Sequence, residues 1–360
     1  METMYFINNY LNSYEITYEK IKNDLSIYIK TDLNIKKDYI YDEFLKQCVM
    51  KNFTKYNDGM VFDENKNIEI KREIVKKLKS IPLVEQKSKE WYEYRLNRIT
   101  ASNLSSLYNK GYKNRHNCLK DYVEKNLSFT PNVACNFGIK YEDVACNMYE
   151  QIKNVKVHEF GCLPHPNYDY LAASPDGITD DGVMLEIKCP YSRQTTGIPP
   201  IYYWYQMQLQ LEVCDLNECD YLECNIKEYN NEEEFLRDNT VEYKGVLIKV
   251  NDKYEYYKGD ICNYKQWLEE YENKYENIQI SFWKCIKYYI TRIYRDKVWF
   301  NNNLEIMKKF WDEVIYYRNN KEEYQKYLNS KTKVKVNKNN KKCIIFELEK
   351  LEKEEETKTN

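Results

Sequence analysis

The ionisable residues Asp176, Glu186 and Lys188 stand out within "SPDGITDDGVMLEIKCP", residues 174–190. Two carboxylates that converge make the all-oxygen kind of site that Mg2+ takes, completed by water and phosphate oxygens. A cation there would neutralise charge on a scissile phosphate and its leaving oxygen, and a lysine beside it could orient the attacking water or help deprotonate it. Asp, a gap, then Glu-x-Lys is common by chance in a chain that is 31% charged. Its context is less common. Pro175 biases Ser174 toward extended backbone, Asp181-Gly182 reads as a two-residue hairpin turn, and "VMLEIKC" follows as a strand. On that strand Glu186 and Lys188 share a face while Leu185 and Ile187 take the other. Charges on an apolar strand are costly unless they are paired or bind metal. The hairpin brings Asp176 back beside Glu186, but the register is open by one residue, and a slip would change the face. The choice lies between an exposed charged hairpin and a metal-binding sheet edge.

Three further segments bear on that choice. In "NFGIKYEDVACNMYE" the residues Phe137, Val144, Ala145 and Met148 form a helical apolar face, and Glu142 lies beside its Ala145 edge, either entering a cleft or solvated. "SKEWYEYRLNRITASNLSSLYNKG" reads as a helix, a break at "ITA", and a second helix that Ser102 caps and Gly111 ends. A serine cap with free backbone N–H groups can hold a phosphate, and Arg95 can add a bidentate grip; an ordinary cap and a surface arginine explain the residues equally well. In "PPIYYWYQMQLQLEV", Gln206 and Gln210 stand one helical turn apart among tyrosines and Trp204. Amides can hold a water or phosphate and the rings can stack on bases, or the rings are simply core.

The elements that position these groups sit between two helical flanks. Residues 1–82 show apolar and tyrosine positions at helical spacing, with Pro82 as a break. Across 83–260 helical and strand-like segments alternate, and six of the nine glycines and most prolines fall at 83–228, which predicts an α/β core. From 261 to 330 the chain again reads as helical and aromatic, and 331–360 is a basic run followed by an acidic one, expected to be a solvated, mobile tail. A net charge of −2 argues weakly against a nucleic-acid partner, yet a basic cleft can sit in a neutral protein. No apolar run approaches a membrane span and no signal segment is evident, so an intracellular, non-secreted protein is expected. The twelve cysteines include no CxxC pair. The spacing of Cys214, Cys219 and Cys224 fits buried thiols better than a metal or iron–sulfur site.

Taken in order, "WYEYRLNRITAS", "FGIKYE", "SPDG", "LEIKCP" and "YQMQ" resemble the phage-lambda-exonuclease and YqaJ viral-recombinase branch of the PD-(D/E)xK nucleases, over residues 88–225. The resemblance implies a restriction-endonuclease-like mixed sheet flanked by helices. It implies Asp176, Glu186 and the backbone carbonyl of Ile187 as Mg2+ ligands, two ions in all with Mn2+ able to substitute. It implies Lys188 as the catalytic lysine, Glu142 as a carboxylate acting on the metal through water, and Gln206 as the glutamine of the following helix. Arg95 and Ser102 match positions that hold a 5′-phosphate. The implied activity is digestion of one strand of duplex DNA from a 5′ end in recombination and genome processing, with a single-strand annealing protein as a further partner. Two positions depart: "PNVACNFG" lacks the lysine some relatives carry before the helix glutamate, and Pro166 stands where some have a further aspartate. Oligomeric state does not carry over. The lysine- and asparagine-rich composition suggests an AT-rich genome, and with such flanks a large DNA virus is the expected source. Other readings are a non-catalytic DNA-binding scaffold on the same fold, and an endonuclease or RNase using the same site.

Overall fold

The computed structural model describes residues 64–82, 84, 88–126 and 132–331. The helical reading of residues 1–63 and the mobile tail at 332–360 lie outside them. In chain order the helices are α1 (Glu64–Lys79), α2 (Lys89–Leu96), α3 (Ala101–Leu107), α4 (Arg115–Val123), α5 (Val133–Lys153), α6 (Ile201–Cys214), α7 (Glu232–Arg237), α8 (Tyr264–Glu272) and α9 (Lys297–Asn319). The strands are β1 (Ile99–Thr100), β2 (Val157–His158), β3 (Leu163–Pro164), β4 (Leu171–Ala173), β5 (Gly177–Thr179), β6 (Val183–Lys188), β7 (Glu218–Glu228), β8 (Tyr243–Val250), β9 (Lys253–Tyr256) and β10 (Gln279–Tyr294).

Seven strands form one mixed sheet in the order β2-β5-β6-β7-β10-β8-β9, and β1, β4 and β3 form a small second one. Only β6 and β7 of the large sheet run parallel, joined through α6; a parallel pair needs such a crossover and is buried on both faces. Alternation along these strands divides the interior. Met184, Cys219 and Tyr221 face a core built with α3, α4, α6 and α9. Leu185, Ile187, Leu222 and Cys224 face a second core under α5. Leu185 and Ile187 therefore take the face opposite Glu186, as the strand periodicity requires.

Three expectations need correction. The segment 261–330 is not helical throughout. Residues 264–272, 297–319 and 321–331 are, but Gln279–Tyr294 is a 16-residue strand that pairs with β7 and β8 in the middle of the sheet, across the expected boundary at 260. Its composition, "QISFWKCIKYYITRIY", is that of a strand. Val75 and Leu78 of α1 enter the first core. The β5–β6 turn has three residues, Asp180 to Gly182, closed by Gly182 N donating to Thr179 O at 3.0 Å. Gly182 has φ +73°, and a Cβ there would lie 2.9 Å from Lys71 Cβ, so the turn needs glycine. Lastly, Thr100 and not Ser102 occupies the cap position of α3. Among the described residues no helix is long and apolar enough to cross a membrane.

Candidate active site

The β5–β6 register pairs Ile178 with Met184 and Gly177 with Leu185, so the next pair in line is Asp176 with Glu186. Directly opposite residues of an antiparallel pair share a face, which settles the open register. Ile187 N donates to Asp176 Oδ2 at 2.7 Å and fixes that carboxylate against the end of β6. Lys188 Nζ donates to Glu186 Oε1 and to Ile187 O at 3.0 Å, and stands 3.9 Å from Asp176 Oδ2. One ammonium is thus surrounded by the oxygens of Asp176, Glu186 and Ile187. The cluster sits at the carboxyl end of a parallel strand, where open α/β sheets place their ligands.

The other candidates approach this cluster unevenly. Gln206 Nε2 donates to Glu186 Oε1 at 2.7 Å. Gln210 Nε2 donates to Glu186 Oε2 at 2.8 Å and to Ser174 O at 3.1 Å. Their four-residue spacing on α6 puts both amides on one face. Glu142 reaches the cluster from α5, on the other face of β6. Its carboxyl is close enough to feel Asp176, Lys188 and Glu186, although among the described residues no hydrogen bond joins it to them. Arg95 and Ser102 are brought together beside the cluster: Arg95 Nη2 donates to Ser102 Oγ at 3.1 Å, and Nη1 lies 3.5 Å from Ser174 Oγ. The Arg95 guanidinium also covers the Trp91 ring at 4.4 Å. Among the described residues no carboxylate pairs with Arg95, which leaves its charge available to an anion. Ser174 and Tyr203 (whose ring centroid lies 4.8 Å from Lys188 Nζ) join the site beyond the residues singled out from spacing, among which Gln210 already stood beside Gln206. Ser174 was signalled only by its place before Pro175, and Tyr203 only by lying one turn ahead of Gln206.

Electrostatics separates this cluster from an ordinary ion pair. Glu186 is 0% exposed; burial, then the Asp176 charge, push its carboxyl up to about 7 against the pull of Lys188 and Gln210. Burial likewise raises Asp176, opposed by Lys188 and the Ile187 N–H. Glu142 stays solvent-exposed as a residue, yet desolvation of its carboxyl and then Asp176 raise it too. Burial alone would lower Lys188, but Glu186 and Asp176 outweigh it and hold the lysine well above its usual value, as an ammonium. Counted formally, Asp176, Glu186 and Glu142 carry three negative charges against one positive. That surplus, lined by oxygen donors and completed by a carbonyl, suits a hard cation. The donors here are all oxygen: two carboxylates and a carbonyl, with water to complete the set. Cys214, Cys219 and Cys224 are buried free thiols divided between the two cores, not a ligand set.

A mixed sheet with paired acids and a lysine on adjacent strands defines the architectural class. The family model of the YqaJ-like viral recombinase domain matches residues 90–217, so that stretch of the chain is similar to that domain. A relative, uncharacterized protein R354 of Acanthamoeba polyphaga mimivirus, is 30% identical over 72% of this chain; the chain spans 57% of that protein's length. Among solved structures, an alkaline exonuclease from Laribacter hongkongensis, LHK-Exo, seen in complex with dAMP, is 22% identical, with 68% of this chain and 99% of that chain covered and a TM-score of 0.44. A phage-related exonuclease from Haemophilus somnus is 10% identical, covering 61% of this chain and 93% of that one, with a TM-score of 0.35.

Proposed function

We propose that this protein is a Mg2+-dependent deoxyribonuclease that digests one strand of duplex DNA from a 5′ end during viral recombination or genome processing. The observation that carries the reading is the uncompensated charge at Asp176, Glu186 and Glu142 around a single ammonium. The match of residues 90–217 to a viral recombinase domain supports DNA as the substrate. Asp176, Glu186 and the Ile187 carbonyl would hold the ion, which when bound neutralises charge developing on the scissile phosphate. Gln206 and Gln210 fix the Glu186 carboxylate by a hydrogen bond to each oxygen. Lys188, held as an ammonium, orients the attacking water and donates to phosphate oxygen. Glu142 would act on the ion through a water. Arg95 and Ser102 take the 5′-phosphate and set the strand's start. The single strand left behind suits an annealing protein as partner.

The test is digestion of 5′-phosphorylated linear duplex DNA beside a closed circle and an RNA duplex, each with Mg2+, Mn2+ or chelator. Loss of the 5′-phosphorylated strand in either metal, with the circle and RNA spared, is expected. Nicking of the circle at a comparable rate assigns an endonuclease instead, and binding without turnover in any metal assigns a scaffold.

A further inference from the structure

The tyrosines of "IYYWYQ" have two uses, and the structure divides them. Trp204 and Tyr205 are buried, and Tyr205 lies against Trp299 with centroids 5.0 Å apart and planes at 25°. Tyr203 lies beside Lys188, its hydroxyl 3.0 Å from the hydroxyl of Tyr112. The Tyr112 ring packs 4.8 Å from that of Tyr202, yet Tyr112 is 79% exposed. The loop presenting it is held close: a Cβ at Gly111 would lie 2.6 Å from Ser106 Oγ and 2.9 Å from Ser106 N. A ring held from two sides and left open to solvent does no work in the core.

Its place along α6 gives it a use. Gln206 marks Glu186, and Gln210 marks Ser174, beside Arg95. Tyr202 lies one turn before Gln206, so the tyrosines and the Arg95 end lie on opposite sides of Glu186, separated by about 12 Å of helix. Resting on the nuclease reading above, we propose that Tyr112 and Tyr202 form a stacking platform for a nucleobase of the digested strand on the 3′ side of the cleaved linkage. A strand whose 5′-phosphate meets Arg95 and Ser102 and whose first linkage lies at Asp176 and Glu186 runs next onto these rings. Stacking tolerates any base, as a strand-digesting enzyme requires.

Tyr112→Ala is expected to raise KM on 5′-phosphorylated duplex roughly tenfold and leave kcat within about twofold, while Tyr112→Phe stays near wild type. An abasic site moved through the first few positions of the digested strand should cost wild type the same roughly tenfold at one position, where Tyr112→Ala loses nothing more. Unchanged kinetics in Tyr112→Ala, or a loss that adds to the abasic loss at every position, overturns the platform. If wild type digests no substrate, the nuclease reading fails and the platform is judged by binding alone. In chelator, 2-aminopurine in the strand should be quenched by wild type and not by Tyr112→Ala; equal fluorescence with both overturns it.

Discussion

Glu186 on β6 and Glu223 on β7 stand on adjacent strands, and both are 0% exposed, but they keep different electrical company. Glu223 is satisfied: Arg193 pairs with Oε1 at 2.5 Å, Thr196 N and Gly197 N donate to Oε2 at 2.7 and 2.8 Å, and Tyr221 donates its hydroxyl. Asp220, also on β7, has Arg292 and the Tyr149 hydroxyl, and Arg292 with Lys71 balances Glu218 as well. These acids close neutral clusters, pinning the 189–200 loop and the edge of α5. Glu186 shares its ammonium with Asp176 and stands near a third acid. A buried charge that is fully paired is architecture; one left in surplus is kept at a cost in stability, and that cost is expected where a cation or substrate completes the site.

Substitutions can break this contrast. The largest effect is on activity: Glu186→Gln and Lys188→Ala should each lower strand digestion by ~10²-fold or more, the scale of losing one group aimed at transition-state charge. Their stabilities without metal should move in opposite directions. Glu186→Gln relieves surplus charge and should leave the urea midpoint equal or higher. Lys188→Ala leaves two carboxylates without their shared cation and should cost about 3–5 kcal/mol, the penalty for breaking a buried pair. Equal destabilisation by both would mean that the cluster is an ordinary ion pair. A smaller effect is expected at the balanced acid. Glu223→Gln should lose about 1–3 kcal/mol in urea unfolding as a charge-assisted bond goes, while the remaining folded protein keeps its kcat. A drop in kcat out of proportion to the folded fraction would move Glu223 into the chemistry.

What the sequence made legible follows the same division. Asp176, Glu186 and Lys188 could be read because strand alternation and a glycine turn are local rules. The register was not legible, because a turn of two residues and one of three differ only in backbone geometry around Asp180, Asp181 and Gly182. Glu142 looked like a surface glutamate of an amphipathic helix; only the fold carries it around β6 to the acids, and only the family resemblance pointed there. Ser102 read as a cap because its residue type suits one, yet the chain enters α3 two residues earlier, at Thr100. The β10 strand was missed because tyrosine, present 37 times, suits a helical stripe and a strand alike, and the aromatic helical segments on either side masked the change of period. Its partners β7 and β8 lie far away in sequence, and pairing is what makes it a strand.

The smallest effect sets burial against charge at a third group. His165 is 5% exposed, its ring parallel to Phe300 at 5.8 Å, and its Nδ1 accepts from Asn167 N at 3.0 Å. The neutral ring's proton therefore sits on Nε2, which faces Glu212 Oε1 at 3.9 Å. Glu212 would favour the imidazolium, but it is already engaged by Arg295 at 2.6 Å, and burial prevails, so the His165 pKa is lowered from 6.5. A lowered folded value means that the unfolded chain binds the proton first as pH falls. The contribution is intact above about pH 6.5 and is lost as pH drops through the lower folded value. The raised Glu186 carboxyl acts with the opposite sign: without metal, its contribution is present below the unfolded value of 4.5 and lost as pH rises through about 7. Urea midpoints in the Glu186→Gln background should therefore fall more steeply on acidification below about pH 6.5 than in the parent, and adding His165→Gln should flatten that fall. If His165→Gln leaves the acid limb unchanged, Glu212 rather than burial governs the ring, and the rule drawn from Glu186 and Glu223 does not extend to it.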